Sequence, residues 1–131
     1  MKPQAVLPQG WPRPKGYANG VVAQGRMLFI AGMIGWDADG VFHSDEFGAQ
    51  ARQALRNVAD LLQAAGGSSA HIVRMTWYVT DKREYLAAAR DVGQAFREII
   101  GNYDIAMTAV EVKALIEDRA KVEIEATAVL P

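Results

Sequence analysis

The stretch Lys121–Val129 alternates strictly: Val122, Ile124, Ala126 and Ala128 fall on one side of an extended chain, and Lys121, Glu123, Glu125 and Thr127 on the other. Successive side chains of a strand point to opposite faces, so this pattern predicts a half-buried strand and argues against a helix, which would scatter both sets around its axis. Just upstream, Tyr103–Val112 alternates in the same way, with Ile105, Met107, Ala109 and Glu111 opposing Ala106, Thr108, Val110 and Val112. Neither segment contains glycine or proline, the residues that interrupt strands. The mixed-charge connection Lys113–Ala120 joins them. These two strands are expected to floor any pocket the chain builds.

All five prolines lie at the ends of the chain, at Pro3, Pro8, Pro12, Pro14 and Pro131. Residues 1–14 therefore read as a Pro-rich, irregular or polyproline-like lead-in, and residues 15–131 as one folded domain. At 131 residues the chain is long enough to bury a core without covalent staples. Within the domain, Tyr17–Gln24 and Arg26–Met33 read as a hairpin broken at Gly25, ending in the turn-rich Asp37–Gly40 cluster.

Ser44 then offers an N-cap, with Asp45 and Glu46 in the first turn, where the helix dipole favours negative charge. Phe47, Ala51, Ala54, Leu55, Val58, Leu61, Leu62 and Ala65 follow helical spacing until Gly66-Gly67 stops it. Ile72–Thr80 returns to period two, with Val73, Met75, Trp77 and Val79 opposing Ile72, Arg74, Thr76, Tyr78 and Thr80. Asp81 and Glu84 form a capping box for a second helix through Tyr85, Ala89, Val92, Phe96 and Ile99, closed by Gly101-Asn102.

The order β-β-α-β-α-β-β predicts an α+β fold with two long helices packed on one face of a mixed sheet. The opposite face would carry Ile72, Thr76 and Tyr78, too apolar for free solvent and too polar for a private core. A second copy of the chain is the simplest cover, so a homo-oligomer is expected.

Composition removes several kinds of chemistry. Cysteine is absent, which excludes disulfides, thiolate nucleophiles and thiolate metal sites, and the only histidines, His43 and His71, are far apart in different contexts. No metal is expected. A net charge of −1 with its signs evenly spread gives no pull toward nucleic acid or anionic membrane. Nothing resembles a signal peptide or a membrane span, so a soluble cytoplasmic protein is expected, with a small-molecule ligand and itself as partners.

Among polar residues, Glu123 and Glu125 share a strand face, where one of them could orient a water or bind an amine. A solvated face with Lys121 as partner accounts for them more simply. Arg90 reads as helical surface charge, Tyr17 as a ligand-facing phenol or an edge-strand packer, and Trp36 and Trp77 as pocket walls or core. His71 is expected to be exposed, and Ser68 and Ser69 lack the neighbours of a serine triad. The residues alone support a soluble oligomeric α+β domain and go no further.

Taken in order and spacing, several segments resemble the RidA/YjgF family of reactive-intermediate deaminases. They are Gly16-Tyr17, Leu28–Gly32 with the turn at Gly40, Gln50–Asn57 leading to Ala64–Gly66, Ile72–Thr76 leading to Asp81, Val110–Val112, and Val122–Ala126. The resemblance implies a chorismate-mutase-like α+β fold assembled as a homotrimer, with ligand sites in the clefts between subunits. It also implies hydrolysis of small enamines and imines to a carbonyl compound and ammonia without a cofactor. Other members of the family are described as ribonucleases or translation inhibitors.

The resemblance assigns water positioning to Glu123 and ligand placement to Tyr17. It also exposes departures. Deaminating members carry Pro-Ala-Arg where this chain has Ile105-Ala106-Met107, so the arginine that grips a substrate carboxylate is replaced by Met107. Ala31 stands where a serine or threonine is frequent and Ala109 where a cysteine is common. Arg90 lies near a helical position often occupied by asparagine and is the provisional replacement anchor. Three readings follow: an imine or enamine hydrolase with a more apolar pocket around Ala31, Met107 and Ala109, a non-catalytic ligand-binding or regulatory trimer, and, least favoured by the charge balance, an RNA-cleaving protein.

Overall fold

The computed structural model describes residues 2–131. Six strands and three helices succeed one another: β1 (Gln4–Val6), β2 (Gly20–Val22), β3 (Arg26–Ile34), α1 (Phe47–Ala64), β4 (Ile72–Val79), α2 (Lys82–Ala87), α3 (Ala89–Ile99), β5 (Ala106–Glu111) and β6 (Val122–Leu130). The main sheet runs β3-β6-β4-β5, with β6 antiparallel to both neighbours and β4 parallel to β5. The helices cover one face, giving the α+β plan that the hydrophobic periodicity predicts.

That plan follows from where the apolar stripes fall. Helix α1 buries Phe47, Ala51, Ala54, Leu55, Val58 and Leu62, and α3 buries Ala95 and Phe96. They meet Ile30, Met75, Trp77, Val79, Val122, Ile124, Ala126 and Ala128 from the sheet. Each large side chain so buried contributes about 1.5–3 kcal/mol, and truncating Leu55 to alanine would cost about 2–5 kcal/mol. Trp77 and Phe47 flank Tyr85 at 6.3 and 5.8 Å between ring centroids, which pins α2 to the sheet.

Four local expectations are corrected. The predicted hairpin does not form: β2 pairs with β1 from the lead-in, while β3 pairs with β6. The lead-in is therefore partly strand, because Gln4–Val6 finds an antiparallel partner across residues 7–19. Helix α1 starts at Phe47 with Glu46 at its N-cap; the Ser44 hydroxyl accepts the Glu46 N–H at 3.0 Å in a local turn instead of capping the helix. The second helix is divided at Ala88 into α2 and α3. Asp81 caps α2 as predicted, accepting the Arg83 and Glu84 N–H groups, but the Glu84 side chain pairs with Lys121 at 3.0 Å rather than closing the capping box.

A further shift involves β4. Its pairing with β6 slips between Ile72 and Arg74, so Ile72 turns into the core beneath the helices and leaves the open face to Arg74, Thr76 and Tyr78. His71 is half-buried rather than exposed and accepts the Ser68 N–H at 3.0 Å.

Candidate functional site

The sheet face away from the helices carries Glu123 and Glu125 from β6, Arg74, Thr76 and Tyr78 from β4, and Phe29 from β3. Strand parity puts them there: Glu123 registers with Tyr78, Glu125 with Thr76, and Thr127 with Phe29. Phe29 is 72 % exposed, and beside it Arg74, Thr76, Glu125 and Thr127 surround a hollow of about 190 Å³. The Tyr78 hydroxyl donates to Glu125 Oε1 at 2.5 Å. That bond, then burial, then the nearby charges of Glu125 and Glu123 push the phenol above its ordinary 10.0, against a smaller opposing effect of Arg74.

Glu123 is placed by an irregularity in its neighbour. The β3–β6 register shifts between Ile30 and Met33, leaving Ala31 and Gly32 in a bulge. A side chain at Gly32 would collide with the carboxylate, Cδ and Cγ of Glu123, so the bare α-carbon makes the room the glutamate uses. Ala31, Gly32 and Glu123 thus form one unit. Lys121, the partner expected for these carboxylates, instead bonds Glu84 on the helix side.

The other expected site residues lie elsewhere. Met107 registers with Met75, and Ala109 with Trp77, so both belong to the helix side of the sheet's outer edge. Met107 is half-buried and packs against the core, while Ala109 is exposed. Tyr17 sits beside the start of this strand, where the Ala18 N–H bonds the Ile105 carbonyl at 2.9 Å and Ala18 bridges Ala106 in parallel. Arg90 is exposed near the start of α3 and has no hydrogen-bond or ion-pair partner among the described residues.

The two strands expected to floor a pocket, β5 and β6, are separated in the sheet by β4. Two strand spacings, about 10 Å, separate β6 from β5; Glu123 and Met107 are also offset along them, registering with Tyr78 and Met75 of β4, and their side chains leave opposite faces. A single subunit cannot turn both toward one ligand. Two copies can, if the open face with Glu123 in one meets the outer edge with Met107, Ala109 and Tyr17 in another.

The sequence matches the family model described as endoribonuclease L-PSP over residues 12–130. The chain belongs to the RidA/YjgF family. Among its RidA/YjgF relatives, a RutC family protein of Pyrococcus horikoshii is 31% identical over 126 residues, spanning 95% of this chain and 96% of that one. A 2-iminobutanoate/2-iminopropanoate deaminase of Salmonella typhimurium is 34% identical over 113 residues, or 86% of either chain. The crystal structure of a Rid family protein of unknown function from Yersinia pestis superposes with a TM-score of 0.87 at 30% identity, covering 99% of this chain and 100% of that one. The RidA/YjgF fold accounts for the mixed sheet and its one-sided helices.

Sequence reading overlooked Arg13. It lines a cavity of about 80 Å³ together with Tyr17 and Asp104. The only signal was its position between Pro12 and Pro14, four residues ahead of the candidate tyrosine.

Proposed function

We propose that this RidA/YjgF protein hydrolyses a small reactive imine, or the enamine that tautomerises to it, in clefts between the subunits of a homotrimer. The observation that carries the reading is the Glu123 carboxylate seated in the bulge against Gly32, on the sheet face that the helices leave open. The deaminase name of a relative 34% identical supports the same chemistry.

In this scheme Glu123 accepts a proton from water as the oxygen attacks the iminium carbon. The proton held by Glu123 goes to the carbinolamine nitrogen, the C–N bond breaks to release ammonia, and the hydroxyl proton returns to the Glu123 carboxylate as the C=O bond forms. Tyr17 on the neighbouring edge helps place the ligand, and Ala31, Met107 and Ala109 make the surroundings apolar. The exposed Phe29 and Met27 on the open face support the assembly, since a lone subunit would leave them in water.

The test is release of ammonia and keto acid from freshly generated 2-iminopropanoate and from an uncarboxylated imine. Wild type is expected to be active and Glu123→Gln to lose about 10²-fold or more. Inactivity of wild type on both substrates overturns the hydrolase reading, and a monomer in light scattering overturns the shared cleft. A second reading, a non-catalytic ligand-binding trimer, is favoured by the inward packing of Met107. It predicts a ligand that raises the melting temperature with no turnover by wild type.

A further inference from the structure

We infer that Arg13 is the residue that grips the carboxylate of this protein's ligand, in the place of the cation that Met107 cannot supply. The inference deepens the imine-hydrolase reading and rests on it for the identity of the ligand.

Arg13 belongs to a loop held at both ends. Strands β1 and β2 pair Gln4 with Val22 and Val6 with Gly20, closing residues 7–19 into a flap. The Ala18–Ile105 hydrogen bond then fastens the flap to the start of β5, two residues before Met107. Within it, Pro14 restricts the backbone of Arg13, and Pro12 fixes the turn of chain before it. Little backbone freedom is left to lose when the side chain binds something.

The guanidinium is available. Its one polar contact among the described residues is a long 3.4 Å approach from Nη2 to Asp104 Oδ1, with the two side chains 79% and 54% exposed. Charge-assisted bonds of this kind run at about 2.7–2.9 Å, and exposed pairs contribute little, so a ligand carboxylate can displace Asp104 at small cost. The remaining donors form a planar fork suited to two parallel bonds with a carboxylate.

The surroundings select a small acid. The cavity of about 80 Å³ is bounded by Arg13, Tyr17, Asn19 and Asp104, with Leu7 closing one side. That is several times the roughly 10–15 Å³ one water requires, and enough for a carboxylate with a short chain. Tyr17 lines this cavity and also belongs to the proposed cleft, beside the start of β5 where Ala18 is bonded to Ile105. An imino acid bound by its carboxylate at Arg13 would therefore extend its nitrogen end toward the outer edge, where the partner's open face supplies the water activator.

The deciding experiment is calorimetric titration with pyruvate, the keto acid that 2-iminopropanoate would yield, and with its uncharged amide. The proteins compared are wild type, Arg13→Gln, Arg13→Lys and Asp104→Asn, with Arg56→Gln on the exposed side of α1 as the matched charge control. Arg13→Gln is expected to weaken pyruvate about tenfold or more, Arg13→Lys to restore part of it, and Asp104→Asn to tighten it, with the amide and the control unaffected. In turnover, Arg13→Gln should raise KM for 2-iminopropanoate by a similar factor and leave kcat within about twofold. Pyruvate binding that ignores Arg13→Gln, or a wild type that does not prefer pyruvate to its amide, overturns the assignment. Arg13-dependent binding without turnover upholds the anchor and overturns the hydrolase reading. Turnover of the imino acid with carboxylate binding lost in Arg90→Gln instead upholds the hydrolase and removes Arg13.

Discussion

The carboxylate of Glu123 rests against the α-carbon of Gly32 and occupies the space a side chain there would take. The carboxylate proposed to activate water is thereby positioned by an absence of atoms in the neighbouring strand. Two residues contributed by different strands share one volume.

Gly32→Ala is expected to fold, because the obstructing atoms belong to the flexible Glu123 side chain rather than to backbone. The cost should be about 1 kcal/mol, while the displaced carboxylate lowers turnover about tenfold or more. Thermal melting and imine hydrolysis on the same preparation check both halves. Wild-type turnover in the variant would detach Glu123's placement from the chemistry.

Gln50 is the buried polar residue on which the β3 end of α1 depends. Its side-chain nitrogen donates to the Ser44 and Arg119 carbonyls at 3.0 Å each, and its oxygen accepts the Lys121 N–H at 2.9 Å. Gln50→Met keeps the volume and strands three backbone groups, so a loss of about 3 kcal/mol is expected in denaturant unfolding. A loss below about 1 kcal/mol would mean that water reaches those groups.

The turn after β3 carries an acid-sensitive pair. Asp37 Oδ1 accepts the Asp39 and Val41 N–H groups, and Oδ2 meets His43 Nε2 at 2.7 Å. The His43 hydrogen bond, followed by that from Val41, holds the Asp37 carboxyl below its ordinary 3.8. A depressed carboxyl stabilises the fold above its unfolded-state value and loses that contribution as pH falls through the folded-state value. Asp37→Asn should therefore flatten the decline of melting temperature below pH 3.8, and His43→Ala should flatten it in part. An unchanged slope in Asp37→Asn would assign the acid sensitivity to other carboxylates.

Tyr78 sets the alkaline counterpart. With its phenol raised by Glu125, it should ionise above its ordinary 10.0, as a late phase when phenolate absorbance is followed upward in pH. Its contribution to stability is fully present below its ordinary 10.0 and disappears as pH rises through the higher folded value. Glu125→Gln should bring the late phase earlier, and Tyr78→Phe should remove it. A late phase that survives Tyr78→Phe would belong to another tyrosine.

What could be read from the sequence was whatever depends on a segment's own periodicity. The faces of β6 were legible because Val122, Ile124, Ala126 and Ala128 meet a core while Glu123 and Glu125 do not. The parity of Ile105 and Met107 along β5 was legible for the same reason. Which face of β6 matches which face of β5 was not, because alternation specifies sides only relative to a chosen neighbour, and here that neighbour is β4. The partner of β2 was hidden likewise: Gly20–Val22 shows a willingness to pair, and nothing local names Gln4–Val6 across the flap. The division at Ala88 left no trace because alanine is a good helix former, and the break comes from packing of that turn against the core. Of the candidate site, the unit of Ala31 and Glu123 emerged through family resemblance, whereas Arg13 depends on a long-range closure that only the folded chain reveals.

The place of β6 in the middle of the sheet bears on how this protein is made. β6 (Val122–Leu130) is the last strand in the sequence and the one that joins β3 to β4. Until it leaves the ribosome, those two strands have no common partner, and α1 has only a split surface beneath it. The nascent chain must carry its apolar stripes exposed until β6 emerges and then close the sheet through pairings as distant as Arg26 with Leu130. Folding is thereby coupled to the arrival of β6, and chains that lack it present open strand edges that chaperones and proteases can recognise.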